Sequence, residues 1–154
     1  MKFREFIQSD AIVASLRSTD RDGAIRELVT AMGASGAISP DAVESIVTAM
    51  IAREKSGTTG FGRGVAAPHC KLPQISSVAG TVGLSAQGIN FNALDGKPVY
   101  AIFMLLSPQG QDQQHLQAME VIFRSLKEDT FRKLLRQADN RQKLVDLLDE
   151  ADAR

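Results

Sequence analysis

Eight consecutive apolar residues, Val99-Tyr100-Ala101-Ile102-Phe103-Met104-Leu105-Leu106, constrain the fold of this chain more than any other feature. A strand with one wet face alternates apolar and polar side chains, so an unbroken run of this kind reads as a strand buried on both faces. Helical patterns lie before and after it. Thr19 and Asp20 are candidate N-caps for a helix through Ile25, Leu28, Val29 and Met32, with Gly33 and Gly36 as its stop. Ser39-Pro40-Asp41 restarts the chain, with serine as cap, proline in the first helical position and aspartate complementing the dipole. Val43, Ile46, Val47, Met50 and Ile51 then recur at helical spacing until Arg53-Glu54-Lys55. Val78 to Ser85 reads as a second strand, and Asp95-Gly96 as a turn. His115, Leu116, Met119, Ile122, Phe123 and Leu126 form a helical stripe, followed by Phe131, Leu134 and Leu135 and by Leu144, Val145, Leu147 and Leu148. Ala11 to Leu16 is either a first strand or a lead-in turn. Helices on both sides of a central group of strands imply an α/β layered domain, read here as one domain over residues 1–154.

Composition excludes several functions. The 154 residues suit one sizeable core, and 44% hydrophobic with 23% charged residues is ordinary for a globular chain. Eighteen basic residues balance eighteen acidic ones, so no net field draws the chain to nucleic acid or to a membrane surface. Few aromatics and no tryptophan argue against base-stacking surfaces as well. The single cysteine excludes an internal disulfide and fits a reducing compartment. Met1-Lys2-Phe3-Arg4-Glu5-Phe6 lacks the apolar run of a signal peptide, and Val99–Leu106 is far short of a membrane span. The expected setting is the cytoplasm, with no membrane insertion and no nucleic-acid partner.

The chemistry concentrates between residues 57 and 71. Gly57-Thr58-Thr59-Gly60-Phe61-Gly62-Arg63-Gly64-Val65-Ala66-Ala67-Pro68-His69-Cys70-Lys71 carries four glycines, two threonines and one of only two histidines. Glycines admit close approach of backbone to ligand, and successive amides can form a concave anion site. The loop lacks the Gly-Lys-Ser/Thr of a P-loop, and Gly60, Gly62 and Gly64 do not have dinucleotide-fingerprint spacing. A turn-rich connection is the plainer alternative. His69, behind Pro68, is the one side chain in this segment of a type that switches charge near physiological pH when unperturbed. Alone it reads as a partly buried structural histidine; a catalytic reading needs a second group. His115 is that group, near a helix start that follows Pro108-Gln109-Gly110-Gln111-Asp112. A helix-shoulder polar residue is its plainer reading, and for Arg53 it is a solvated helix-end charge.

The segment from Arg53-Glu54-Lys55 through Gly57-Thr58-Thr59-Gly60 to Pro68-His69 resembles the signature of enzyme IIA domains of the bacterial phosphotransferase system, fructose–mannitol class. Within that class it is most similar to the stand-alone nitrogen-type proteins. The resemblance continues through Phe91-Asn92-Ala93-Leu94-Asp95-Gly96-Lys97-Pro98-Val99 and through Leu106-Ser107-Pro108 to His115-Leu116, nearly the whole chain. It implies a mixed β-sheet flanked by helices. It also implies that His69 accepts a phosphoryl group on Nε2 from phosphohistidine on the carrier HPr. His115 is then the second active-site histidine, with Arg53 nearby, and a cysteine on an enzyme IIB domain is the next acceptor in sugar-transporting systems.

Elementary chemistry agrees with that implication. Phosphoryl transfer asks mainly for positioning and charge stabilisation. The nucleophile must be neutral imidazole, with one nitrogen held as N–H so that the other faces phosphorus. A group of charge about −2 needs donors on several sides. The candidates are the amides of Gly60, Gly62 and Gly64, the hydroxyls of Thr58 and Thr59, His115 and Arg53. Exchange between histidines requires no metal and no cofactor, and no ligand cluster is visible. Two departures stand out. Asn92 occupies a position where many relatives have aspartate, and Cys70 beside His69 invites a redox reading, with small loop filler as the alternative. The output is either a regulated protein partner, toward which the absence of fused IIB or IIC segments leans, or a IIB cysteine in sugar transport.

Overall fold

The computed structural model describes all residues, Met1–Arg154. Its helices are α1 (Phe3–Phe6), α2 (Arg21–Ser35), α3 (Val43–Lys55), α4 (Asp112–Leu126), α5 (Asp129–Gln137) and α6 (Arg141–Asp152). Its strands are β1 (Val65–Ala66), β2 (His69–Leu72), β3 (Ala79–Ile89) and β4 (Val99–Pro108). The apolar run is indeed the central strand. β4 pairs in parallel with β1 and β2 along one edge and antiparallel with β3 along the other, so the sheet is mixed.

Side chains of a strand alternate between faces, and β4 uses both. Ile102, Met104 and Leu106 enter a core with Ile25, Leu28, Val29 and Met32 of α2 and Ile46, Val47 and Met50 of α3. Ala101, Phe103 and Leu105 enter a second core with α4, α5 and α6. The N-terminus belongs to that second layer. Phe3 packs on Phe103 and Phe131 at centroid distances of 5.8 and 6.2 Å, and the Asp152 carboxylate accepts from the amides of Phe3 and Arg4.

Local signals explain most element ends. The Asp20 carboxylate caps α2 by accepting from the Gly23 amide at 2.7 Å. Gly36, at φ 84°, ends that helix in the left-handed conformation, so it is the stop. Gly33 is not: it lies buried inside α2, where an added Cβ would come within 2.6 Å of Val43. The reason is helix packing, since a bare backbone there lets α3 approach. Ser39-Pro40 begins a 3₁₀ turn, Pro40–Ala42, that leads into α3 rather than α3 itself. The Ala11–Leu16 segment runs beside β3 through isolated bridges, such as Val13 with Gly83, instead of forming a regular strand. No helix is long and apolar enough to cross a membrane.

Candidate functional site

His69 opens β2 and His115 lies in the first turn of α4. His69 pairs in register with Leu105, whose side chain enters the core shared with α4. β4 thus brings together two histidines 46 positions apart in sequence. Their ring centroids are 5.6 Å apart at an interplanar angle of 51°.

The two imidazoles are held differently. Nδ1 of His69 lies 2.8 Å from the carbonyl oxygen of Ala67. A carbonyl only accepts, so Nδ1 must carry the hydrogen, and Nε2 keeps its lone pair on the half-exposed ring. That carbonyl supplies the tautomer control which the sequence could not locate. Nδ1 of His115 lies 2.6 Å from Oγ of Ser107 near the end of β4, and both residues are buried. Burial, more than the nearby charges of His69 and Lys71, holds His115 below the usual imidazole value; Asp112 opposes them. His115 is therefore a neutral ring at neutral pH.

A hydrogen-bonded chain connects the end of α3 to His69. Glu54 is 2% exposed, and its carboxylate accepts from both the amide and the hydroxyl of Thr59, at 3.0 and 2.7 Å. The Thr59 carbonyl accepts from the Ala67 amide, and the Ala67 carbonyl holds His69. Sequence reasoning named neither Glu54 nor Ser107 as a site residue. The signal for Glu54 was a carboxylate at the end of the helix that leads into a glycine-threonine loop whose backbone needs acceptors; for Ser107 it was a small hydroxyl directly after the unbroken apolar run.

The loop residues divide. Thr59 has its amide and hydroxyl committed to Glu54, and the Gly60 amide donates to Oγ1 of Thr58. Gly62, Arg63 and Gly64 form a turn with φ of 106°, 61° and 79°, and Oδ2 of Asp95 accepts from the Arg63 amide. The register sets Val65 against Ala101 and His69 against Leu105. This turn therefore lies roughly 13 Å along the strand from His69, at about 3.3 Å per residue. Arg53 donates to the Gly57 carbonyl at 2.9 Å, and its charge acts on Cys70. Burial pushes the half-buried Cys70 thiol up, against that charge, so it is not an activated thiolate.

Two histidines, one opening β2 and one in the first turn of α4, meet beside the mixed sheet of an α/β domain, and the comparisons give its family. The chain belongs to the family described as "Phosphoenolpyruvate-dependent sugar phosphotransferase system, EIIA 2", whose model matches residues 5–151. It is 30% identical over 148 residues to a nitrogen regulatory protein of Bradyrhizobium diazoefficiens, covering 96% of this chain and 95% of that one. It is 28% identical to the fructose-specific EIIABC component of Bacillus subtilis, covering 99% of this chain but only 24% of that protein. Among solved structures, the nitrogen regulatory protein IIA-Ntr from Neisseria meningitidis has a TM-score of 0.83 at 25% identity, over 94% of this chain and 97% of that one.

Proposed function

We propose that this domain is a cytoplasmic phosphocarrier that accepts one phosphoryl group on Nε2 of His69 from an HPr-type phosphohistidine protein. The observation that carries the reading is the Ala67 carbonyl on Nδ1, which leaves Nε2 as the nucleophilic nitrogen. The exchange balances between two imidazoles. The donor ring, protonated at its far nitrogen, loses its N–P bond and leaves as neutral imidazole. His69 forms the new N–P bond and takes up the form the donor had, with its Nδ1–H still on Ala67. Because both sides have one N–P bond and one free imidazole, the protein has little to supply beyond alignment and charge stabilisation.

His115 is the donor placed beside His69, and it steadies the phosphoryl oxygens without becoming phosphorylated. Arg53, in the last turn of α3, and Thr58, in the loop that follows it, complete the set of donors. Thr59, Gly60, Gly62 and Gly64 shape the loop, since their groups are engaged within it or lie at its far end.

The output is a regulatory contact whose affinity changes with phosphorylation. The likeness to a nitrogen regulatory protein over nearly the full length of both chains supports this branch. Delivery to an EIIB cysteine is the second reading, supported by the fructose-specific EIIABC relative. A pull-down from the native cytoplasm with phosphorylated and unphosphorylated protein side by side separates them. A regulator shows partner sets that differ between the two forms, a tenfold affinity difference being about 1.4 kcal/mol. Identical partner sets, with rapid discharge of phospho-His69 to a co-purified EIIB domain, favour the second reading.

A further inference from the structure

The Ser107–His115 contact has a direction that the atoms around it decide. Ser107 is 0% exposed and lies on β4 among apolar residues. The Nδ1 atom of His115, at 2.6 Å, is the partner of its hydroxyl. Two arrangements give one hydrogen bond. If Nδ1–H donated to Oγ, the serine hydrogen would be buried without an acceptor, which is unfavourable for a polar group shut away from water. If the serine O–H donates to the Nδ1 lone pair, the hydroxyl is satisfied and the imidazole hydrogen moves to Nε2. Burial keeps the ring neutral, so it cannot carry a hydrogen on both nitrogens.

We infer that Ser107 is a positioning residue that donates to Nδ1 of His115 and so holds this histidine as the Nε2–H tautomer, a donor toward the phosphoryl group on His69. This assignment rests on the phosphocarrier reading for its purpose, but not for its geometry. The two rings are then set in opposite senses by their backing groups. An acceptor behind His69 makes it a nucleophile; a donor behind His115 makes it a hydrogen-bond donor. Backbone could serve the first role because a carbonyl is always an acceptor. The second needs a donor behind the ring, and the serine hydroxyl is one that also fits an apolar strand.

Nitrogen-15 NMR of the unmodified protein reads the tautomer directly. The expected spectrum has His69 protonated at Nδ1 and His115 protonated at Nε2; a His115 ring protonated at Nδ1 overturns the inference. This measurement requires no phosphodonor, so it stands even if His69 proves not to accept phosphate. Failure of labelling at His69 would instead defeat the phosphocarrier reading. In the transfer assay, Ser107→Ala should slow phosphoryl exchange at least roughly tenfold without weakening binding of the phosphodonor, because only alignment is lost. Ser107→Thr keeps the hydroxyl and should restore both the rate and the His115 spectrum. Transfer by Ser107→Ala at the parental rate, with an unchanged His115 signal, contradicts the assignment.

Discussion

His69 and His115 are chemically the same side chain, but a different group stands behind each ring, a backbone carbonyl for one and a serine hydroxyl for the other. His115 is the more deeply enclosed, and burial is the first cause of its depressed basicity. Its ring should titrate below the usual value near 6.5, measurable by NMR from its ring protons. A midpoint at or above that value would contradict the burial argument. The sign for stability follows. The unfolded chain takes this proton first, so the neutral ring's contribution is complete above about pH 6.5 and is lost as pH falls through the lower folded value. A phosphoryl group on His69 adds negative charge beside the ring and should move the His115 midpoint back up. Cys70 gives a second prediction. Burial raises its thiol pKa, so Cys70→Ser should accept phosphate normally and mild peroxide should leave the parent active. Loss of phosphorylation in the serine variant would return the cysteine to the mechanism.

Among the elements, the long apolar ones were legible and the polar connections were not. β4 announced itself because only a strand between two layers tolerates so many consecutive apolar residues. α2, α3 and α4 followed from 3.6-residue periodicity. β2 was not recognised as a strand: its four residues, His69–Leu72, are mostly polar and half-exposed, and their pairing with β4 is a long-range fact. The glycine-threonine loop was located, but its inward bonds were hidden. Composition shows that Thr59 has a donor; only the fold shows that Glu54 takes it. Asn92 is a similar case. At φ 58° it occupies the left-handed region that asparagine tolerates well, so the residue suits its backbone. The Glu54–Thr59–Ala67–His69 chain predicts that Glu54→Ala destabilises the fold by about 1–3 kcal/mol, because two buried donors lose their acceptor. It should also slow phosphorylation of His69, since the Ala67 carbonyl is no longer anchored from behind. A thermal melt and a labelling time course check both; an unchanged melting temperature and rate would show that the chain of bonds carries nothing.

At the scale of the whole molecule, the sheet's two edges do different work. On one side β3 pairs antiparallel with β4 and is flanked in turn by isolated bridges from Ile7 and Val13. On the other, two short parallel strands leave the loop before His69 free to curl back on α3, while β4 runs on toward α4 and its histidine. The site therefore sits where the strand of one layer meets the first turn of a helix from the other. The proposed phosphocarrier role requires phosphate to reach one nitrogen there. The direct measurement is intact mass, with mapping of the modified residue, after incubation with phosphoenolpyruvate, enzyme I and HPr. The expected result is one added phosphoryl group, alkali-stable and acid-labile, on His69, and none on His69→Ala. Undiminished labelling of His69→Ala, or a phosphoryl group mapped to His115, would contradict it.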